Sequence, residues 1–278
     1  RGLTAAGLGD VRTPEQLIDL ASRYGFDCVD WSARDLVERS GGAEQARGLL
    51  REKNVVIGAI GLPVNWRSTE EKFRAGLGRL VEEAEAACEL GVTRCCTYIL
   101  PSVDQSPAHF MAVATRRLRL CARILGAYGI RFGLEFVGPH HLRTAWKHAF
   151  IRTLQETLDW IEAIGEPNVG LLLDSFHWHT TGLTTADIEA LSAEQIVHVH
   201  LNDAKDVPIE EVLDNDRLYP GEGVIDLAGF LRALHRIGYC GPVSQEILTR
   251  TPPAEDPETL ARRSKDAYDR VFAAAGLA

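Results

Sequence analysis

Apolar or β-branched runs alternate with amphipathic segments along this chain, and the alternation repeats eight times. A strand buried on both faces reads as a short apolar run, and a helix covering it shows one apolar stripe, so the pattern predicts a parallel sheet overlaid by helices. Gly2 to Gly9 is a weak first strand. Thr13-Pro14-Glu15-Gln16 offers a capping hydroxyl, a proline for the first helical position and a capping-box glutamine, opening a helix to about Tyr24. Phe26 to Trp31 is the second strand, followed by a helical region ending near Glu52. Val55 to Pro63 is the third, and Ser68 to Glu89 a long helix that Gly91 closes. Val92 to Leu100 precedes a helix over Pro107 to Tyr128, and Arg131 to Val137 leads through a long loop to a helix around Ile151 to Ile164. Val169 to Asp174 precedes a short helix, Thr185 to Leu191. Ile196 to Leu201 is the seventh strand, followed by a polar loop, Asn202 to Gly223, and a helix from Leu227 to Ile237. Val243 to Ile247 and a closing helix, Pro257 to Ala275, complete the series.

No linker-like or low-complexity stretch divides the 278 residues. Eight units of about 35 residues are the scale of strand, helix and two loops, so the expected fold is α/β, a single (β/α)8 TIM barrel domain over 1–278. A doubly wound nucleotide-binding sheet would want GxGxxG, and Gly7-Leu8-Gly9 lacks the third glycine. The 39 acidic against 30 basic side chains, a net charge of −9, argue against nucleic acid as a partner. No apolar run is long enough to span a membrane. Six scattered cysteines without a CxxC pair read as reduced thiols of a cytoplasmic protein. Arg1-Gly2-Leu3 has no initiator methionine and reads as a trimmed start, with which a removed leader is compatible.

Barrel chemistry collects at the C-terminal strand ends, and four of these ends carry polar residues. Gly133-Leu134-Glu135-Phe136-Val137 sets a carboxylate in an apolar strand, and Leu171-Leu172-Leu173 ends in Asp174. Val197-His198-Val199-His200-Leu201 turns both histidines to one face, and Val243-Ser244-Gln245-Glu246-Ile247 carries another acid. An unpaired buried carboxylate costs several kcal/mol as an order of magnitude, so three acids and an imidazole converging on one mouth point to a compensating cation. The donor set suits Mn²⁺, Mg²⁺, Co²⁺ or Zn²⁺. Pairing of each acid with an arginine is the plainer alternative, and it explains one position more easily than four.

The Leu134-Glu135 strand, Asp174-Ser175-Phe176-His177, His198-Val199-His200-Leu201-Asn202-Asp203, Arg217 ahead of Pro220-Gly221-Glu222-Gly223, and Glu246 occur in an order that resembles the xylose-isomerase-like barrel superfamily, in the branch of inosose isomerase and tagatose 3-epimerase. The resemblance covers essentially the whole barrel. It implies that Glu135, Asp174, His200 and Glu246 hold one divalent metal ion, Mn²⁺ or Zn²⁺ foremost, and that His177 and Arg217 contact substrate oxygens. It also implies a homo-oligomer. His198, two residues before His200 on the same face, is expected one layer deeper, bracing a ligand or satisfied in the core.

A metal between two glutamates suits proton abstraction next to a carbonyl through an enediolate, with Glu135 and Glu246 as the catalytic pair. Return of the proton to the opposite face epimerises, and return to the neighbouring carbon isomerises. The expected substrate is a small keto-polyol: a ketose, sugar phosphate or inosose. Loss of a β-hydroxide would make the same apparatus a dehydratase, the serious alternative; a non-catalytic binding protein is a weaker one. Lys147, with Arg143, His140 and His141, sits in the loop after strand five and is a candidate for substrate hydroxyls or a phosphate, or simply solvated. Of Trp31, Trp66, Trp146 and Trp178, the last is the favoured wall for a sugar ring because it follows His177. Asp30 ends strand two and is expected on the far side of the barrel, outside the metal site. Pro220-Gly221-Glu222-Gly223 reads as a turn positioning Arg217, whose partner among Asp214 and Asp216 stays open, with Lys205 competing. A three-metal nuclease of the same superfamily would need further histidines where strand three ends Gly61-Leu62-Pro63 and a D-x-H pair where this chain has Asp216-Arg217-Leu218.

Overall fold

The structure, a computed structural model, describes residues 1–278. Eight parallel strands close on themselves: β1 (Gly2–Leu3), β2 (Cys28–Asp30), β3 (Val56–Gly61), β4 (Arg94–Ile99), β5 (Arg131–Phe136), β6 (Val169–Asp174), β7 (Ile196–Leu201) and β8 (Val243–Gln245). They pair in chain order, and Gly2 lies beside Ser244 to shut the barrel, which is the expected (β/α)8 architecture. One continuous apolar cluster fills the layer between strands and helices, with Phe132, Leu134, Trp160, Phe176, Phe230 and Tyr268 among its members. The end opposite the site is tied by side chains: Arg94 Nε donates to the Val197 carbonyl at 3.0 Å and Arg131 Nη1 to that of Ile196 at 3.2 Å.

The covering helices are α1 (Pro14–Tyr24), α2 (Ala33–Ser40), α3 (Ala43–Lys53), α4 (Glu70–Glu89), α5 (Pro107–Ala127), α6 (His140–Arg143), α7 (Leu154–Ile164), α8 (Ser175–Thr180), α9 (Thr185–Glu189), α10 (Leu227–Arg236) and α11 (Pro257–Ala275). Their starts follow local chemistry. Thr13 Oγ1 accepts from the Gln16 amide, and Thr153 with Glu156 forms a reciprocal capping box. These caps also explain small differences from the expected bounds: α4 begins after the Thr69 cap rather than at Ser68, and α7 after Thr153 rather than at Ile151. The second helical region divides in two at Gly41-Gly42, both at positive φ. The first strand stops at Leu3, because Thr4 Oγ1 accepts from the Ala6 amide and the Leu8 amide bonds back to Ala5, curling the chain into a turn. Several short elements were not anticipated, among them α6 within the expected loop. Ser102–Val103 pairs antiparallel with His148–Ala149, tying the loops after β4 and β5 together, and α8 follows β6 without a connecting residue.

The loop after β7 is organised by one buried acid. Asp203 accepts from the amides of Ala204, Gly221, Gly223 and Ile225 at 2.9–3.0 Å, and its backbone pairs with Leu218 in both directions. Gly223 passes so close to the Ala204 carbonyl that a Cβ there would collide with it. Pro220 to Gly223 is therefore a turn that presents Arg217, whose amide bonds to the Leu248 carbonyl at 3.0 Å. Asp203→Ala strands those four amides, and a loss of about 3 kcal/mol of unfolding free energy is expected by urea denaturation. A change below about 0.5 kcal/mol would show that the turn holds without the carboxylate.

Candidate metal and substrate site

Four side chains meet where the sequence pattern predicted. Glu135 is the fifth residue of β5, Asp174 the last of β6, His200 the fifth of β7, and Glu246 follows β8 directly. Register supports the meeting, since Asp174 and Ser244 both lie beside His200 on the neighbouring strands. His200 Nδ1 stands 3.4 Å from Glu246 Oε2, 3.6 Å from Glu135 Oε1 and 3.9 Å from Asp174 Oδ2. One donor atom from each of the four lies within 4.8 Å of the others. Glu135 Oε1 and His200 Nδ1 are buried and make no hydrogen bond, though they face one another. Two orphaned donors aimed at a shared space, with two further carboxylates beside them, fit a divalent cation better than a closed hydrogen-bond network.

Asp30 corrects an expectation. It does not lie on the far side: its Oδ2 is 2.8 Å from His198 Nε2 and 3.8 Å from His200 Nε2. A closed eight-stranded barrel is narrow enough for the end of β2 to reach the inward side chains of β7. Gly58 helps, because a Cβ there would press on Asp30 Oδ1 and Cys28. His198 is fully buried one layer beneath His200, as expected. Asp30, His198 and His200 form a second cluster with metal-donor spacing, sharing His200 with the first. Within it Asp30 Oδ2 is paired with His198 Nε2, while Asp30 Oδ1 and His198 Nδ1 have no partner, and the cluster lies against the side of His200 away from the carboxylates.

The surroundings shift these groups in different directions. Burial raises the pKa of Glu135, and the nearby Glu246 adds to this despite His200 and His177. Burial also opposes ionisation of Glu246, yet the charges of His200 and Arg217 outweigh it and hold that carboxyl below the usual range. For His200, burial disfavours the imidazolium, but Glu246, Asp30 and Glu135 raise its pKa well above the ordinary value.

His177 points inward from the first turn of α8. Its Nδ1 accepts from the Gly138 amide at 3.3 Å, and its Nε2 lies 3.4 Å from Arg217 Nη2 and 3.9 Å from Glu135 Oε1. Arg217 comes to the carboxylates themselves: Nη1 lies 2.8 Å from Asp174 Oδ2 and 2.9 Å from Glu246 Oε2, and Nη2 2.8 Å from Asp214 Oδ1. The open choice among neighbours thus resolves as Asp214 with Arg217 and Asp216 with Lys205. Asn202, which the sequence did not single out, donates to Asp174 Oδ2 at 3.0 Å and to the Glu246 carbonyl at 3.2 Å. Only its place after the His198–His200 strand hinted at such a role.

Trp178 and Lys147 are not brought to the site. Trp178 packs edge-on against Phe230 and donates to the Thr184 carbonyl at 3.1 Å, and Lys147 is exposed. Arg143 braces its own loop through the Gly138 and Thr180 carbonyls. Above the four donors opens a cavity of about 300 Å³ lined by Asp30, Trp31, Tyr98, Glu135, His200 and Glu246 among others. Its aromatic walls are therefore Trp31 and Tyr98.

The family model for xylose isomerase-like TIM barrels matches residues 18–270. Over 99% of this chain and 98% of its own, a xylose isomerase domain protein of Alicyclobacillus acidocaldarius subsp. acidocaldarius superposes with a TM-score of 0.91 at 35% identity. Inosose isomerase of Halalkalibacterium halodurans is 36% identical over 126 residues, 45% of this chain and 42% of that protein. The 3-dehydroshikimate dehydratase of Pseudomonas aeruginosa is 29% identical over 84% of this chain and 36% of that protein. The chain thus spans less than half the length of these two curated relatives. No helix is long and apolar enough to cross a membrane.

The neighbouring carboxylates favour a proton on His200, and burial favours one on Glu135, so a cation entering among these donors competes with protons. Titrating metal-stripped protein with Mn²⁺ in weak buffer at pH 7.5 is expected to release protons as the ion binds, and His200→Asn is expected to weaken binding at least about tenfold. Mn²⁺ affinity unchanged in His200→Asn would place the imidazole outside the ligand set.

Proposed function

The chain belongs to the xylose isomerase-like TIM barrel family, and on that premise we propose that it is a divalent-metal-dependent isomerase or epimerase of a small keto-polyol: a ketose, sugar phosphate or inosose. The observation that carries this reading is that Glu135 and Glu246 both line one open cavity and stand with Asp174 and His200 in a cluster whose donor atoms lie within 4.8 Å of one another. Glu135, Asp174, His200 and Glu246 are the residues to hold Mn²⁺ or Zn²⁺, and the bound ion supplies positive charge against the negative charge that develops on substrate oxygen. Within the pair, one glutamate takes a proton from the carbon next to the carbonyl, and the same or the opposite glutamate returns it. Return from the opposite face inverts the centre, and return to the adjacent carbon moves the carbonyl. His177, whose Nε2 lies 3.9 Å from Glu135 Oε1, contacts a substrate oxygen. Arg217 pairs with Asp174 and Glu246 and holds both in place. Trp31 is the wall for the C–H face of the substrate. The six free cysteines suit a single-domain protein of the cytoplasm.

The dehydratase relative matches nearly twice as much of this chain as the inosose isomerase does, which favours β-elimination as the second reading. It begins with the same proton abstraction and differs in losing a β-hydroxide.

Solvent-deuterium exchange decides between them. Mn²⁺-loaded protein in D₂O, given free and phosphorylated ketoses, aldoses and inososes, is expected to place deuterium beside the carbonyl of one of them, with a rearranged or inverted product by NMR. Glu135→Gln and Glu246→Gln are each expected to slow exchange by about 10³-fold. An enone absorbing in the ultraviolet would instead establish elimination. Full exchange in both variants would remove the two glutamates from the reaction.

A further inference from the structure

Arg67 lies in the loop between β3 and α4, with its guanidinium between two rings, 4.2 Å from the Trp66 centroid and 4.0 Å from that of Tyr98. Stacking accounts for the two faces of the plane, but not for its edge. Nε and Nη2, which together form one edge, are buried and have no hydrogen-bond partner. Arg117, anchored to the same loop, shows the contrast. It donates to the Trp66 and Ser68 carbonyls at 2.9 and 2.6 Å and pairs with Glu70 at 3.0 Å. In a chain of net charge −9, a half-buried arginine whose fork is buried and empty is an exception. Burial lowers its pKa to about 10, with Tyr98 and Glu135 offsetting part of the effect.

Its position relates it to the reaction centre. Tyr98 lies beside Glu135 in the β4–β5 register and lines the 300 Å³ cavity. Arg67, against that ring, lines a second cavity of about 180 Å³ with Ile99, Phe110 and Trp146 among its apolar walls. Asp104 borders the same space without pairing to Arg67. Tyr98 is 47% exposed and makes no side-chain hydrogen bond, so stacking alone holds its ring over the guanidinium.

We propose that Arg67 receives an oxyanion, a carboxylate or a phosphate monoester, carried by the substrate at the end remote from its carbonyl. The Nε–Nη2 edge matches two oxygens of either group in a bidentate contact, which an uncharged polyol cannot reproduce. This narrows the substrate class of the proposed reaction and rests on that reading for where the carbonyl lies.

The test is a fluorescence titration of the full Mn²⁺-loaded chain, using the tryptophans of the smaller cavity as reporters. The probes are fructose, fructose 6-phosphate and 3-dehydroshikimate. At least one anionic probe is expected to bind about tenfold or more tightly than fructose, and which one identifies the oxyanion. Arg67→Met removes that preference and leaves fructose affinity unchanged, while Arg67→Lys, which keeps the charge but not the fork, restores only part of it. Equal affinities in the unaltered protein, or a preference that survives in Arg67→Met, would overturn the proposal. Anion preference in a protein that exchanges no deuterium would instead count against the metal-dependent reaction alone.

Discussion

The structure turns on the concentration of negative charge where little water reaches. Asp30, Glu135, Asp174, Asp214 and Glu246 stand around one barrel mouth, and the fixed positive charge among them is the buried Arg217. Carboxylates so placed repel one another and lose hydration, so the arrangement persists only with added positive charge. A protonated His200 provides part of it. A divalent cation provides more, and does so at the point toward which the orphaned Glu135 and His200 atoms already face.

Much of the surrounding architecture serves that constraint. Asp203 gathers four amides into the turn that delivers Arg217 to Asp174 and Glu246. Asn202 joins the same two residues from the end of β7. Asp30 and His198 pair with each other beneath His200, whose ring meets that of His198 edge to face. The two glutamates are supported differently, since Glu135 faces His200 and His177 without a hydrogen bond while Glu246 pairs with Arg217 at 2.9 Å.

The barrel was legible in the sequence because a strand closed over by helices must be apolar, and acids at the ends of β5, β6 and β8 violate that rule visibly. What escaped depends on three-dimensional closure or on direction. Asp30 carries the same signature, an acid ending a strand, but strand order does not show how far a side chain reaches across a closed mouth. Trp178 follows His177, yet successive helical residues point about 100° apart, so one faces the site and the next packs on Phe230. The early end of β1 came from a hydroxyl turn at Thr4, a local competitor that periodicity does not register. Arg67 lay in a loop with no periodic pattern, and its importance appears only as a missing partner.

The central claim is that the four donors hold one cation. Diffraction from Mn²⁺-loaded crystals, with anomalous scattering recorded at the manganese edge, tests it most directly. One strong peak per chain bounded by Glu135, Asp174, His200 and Glu246 is the predicted result. A peak at Asp30 and His198, or none in protein shown to bind Mn²⁺ in solution, would contradict it.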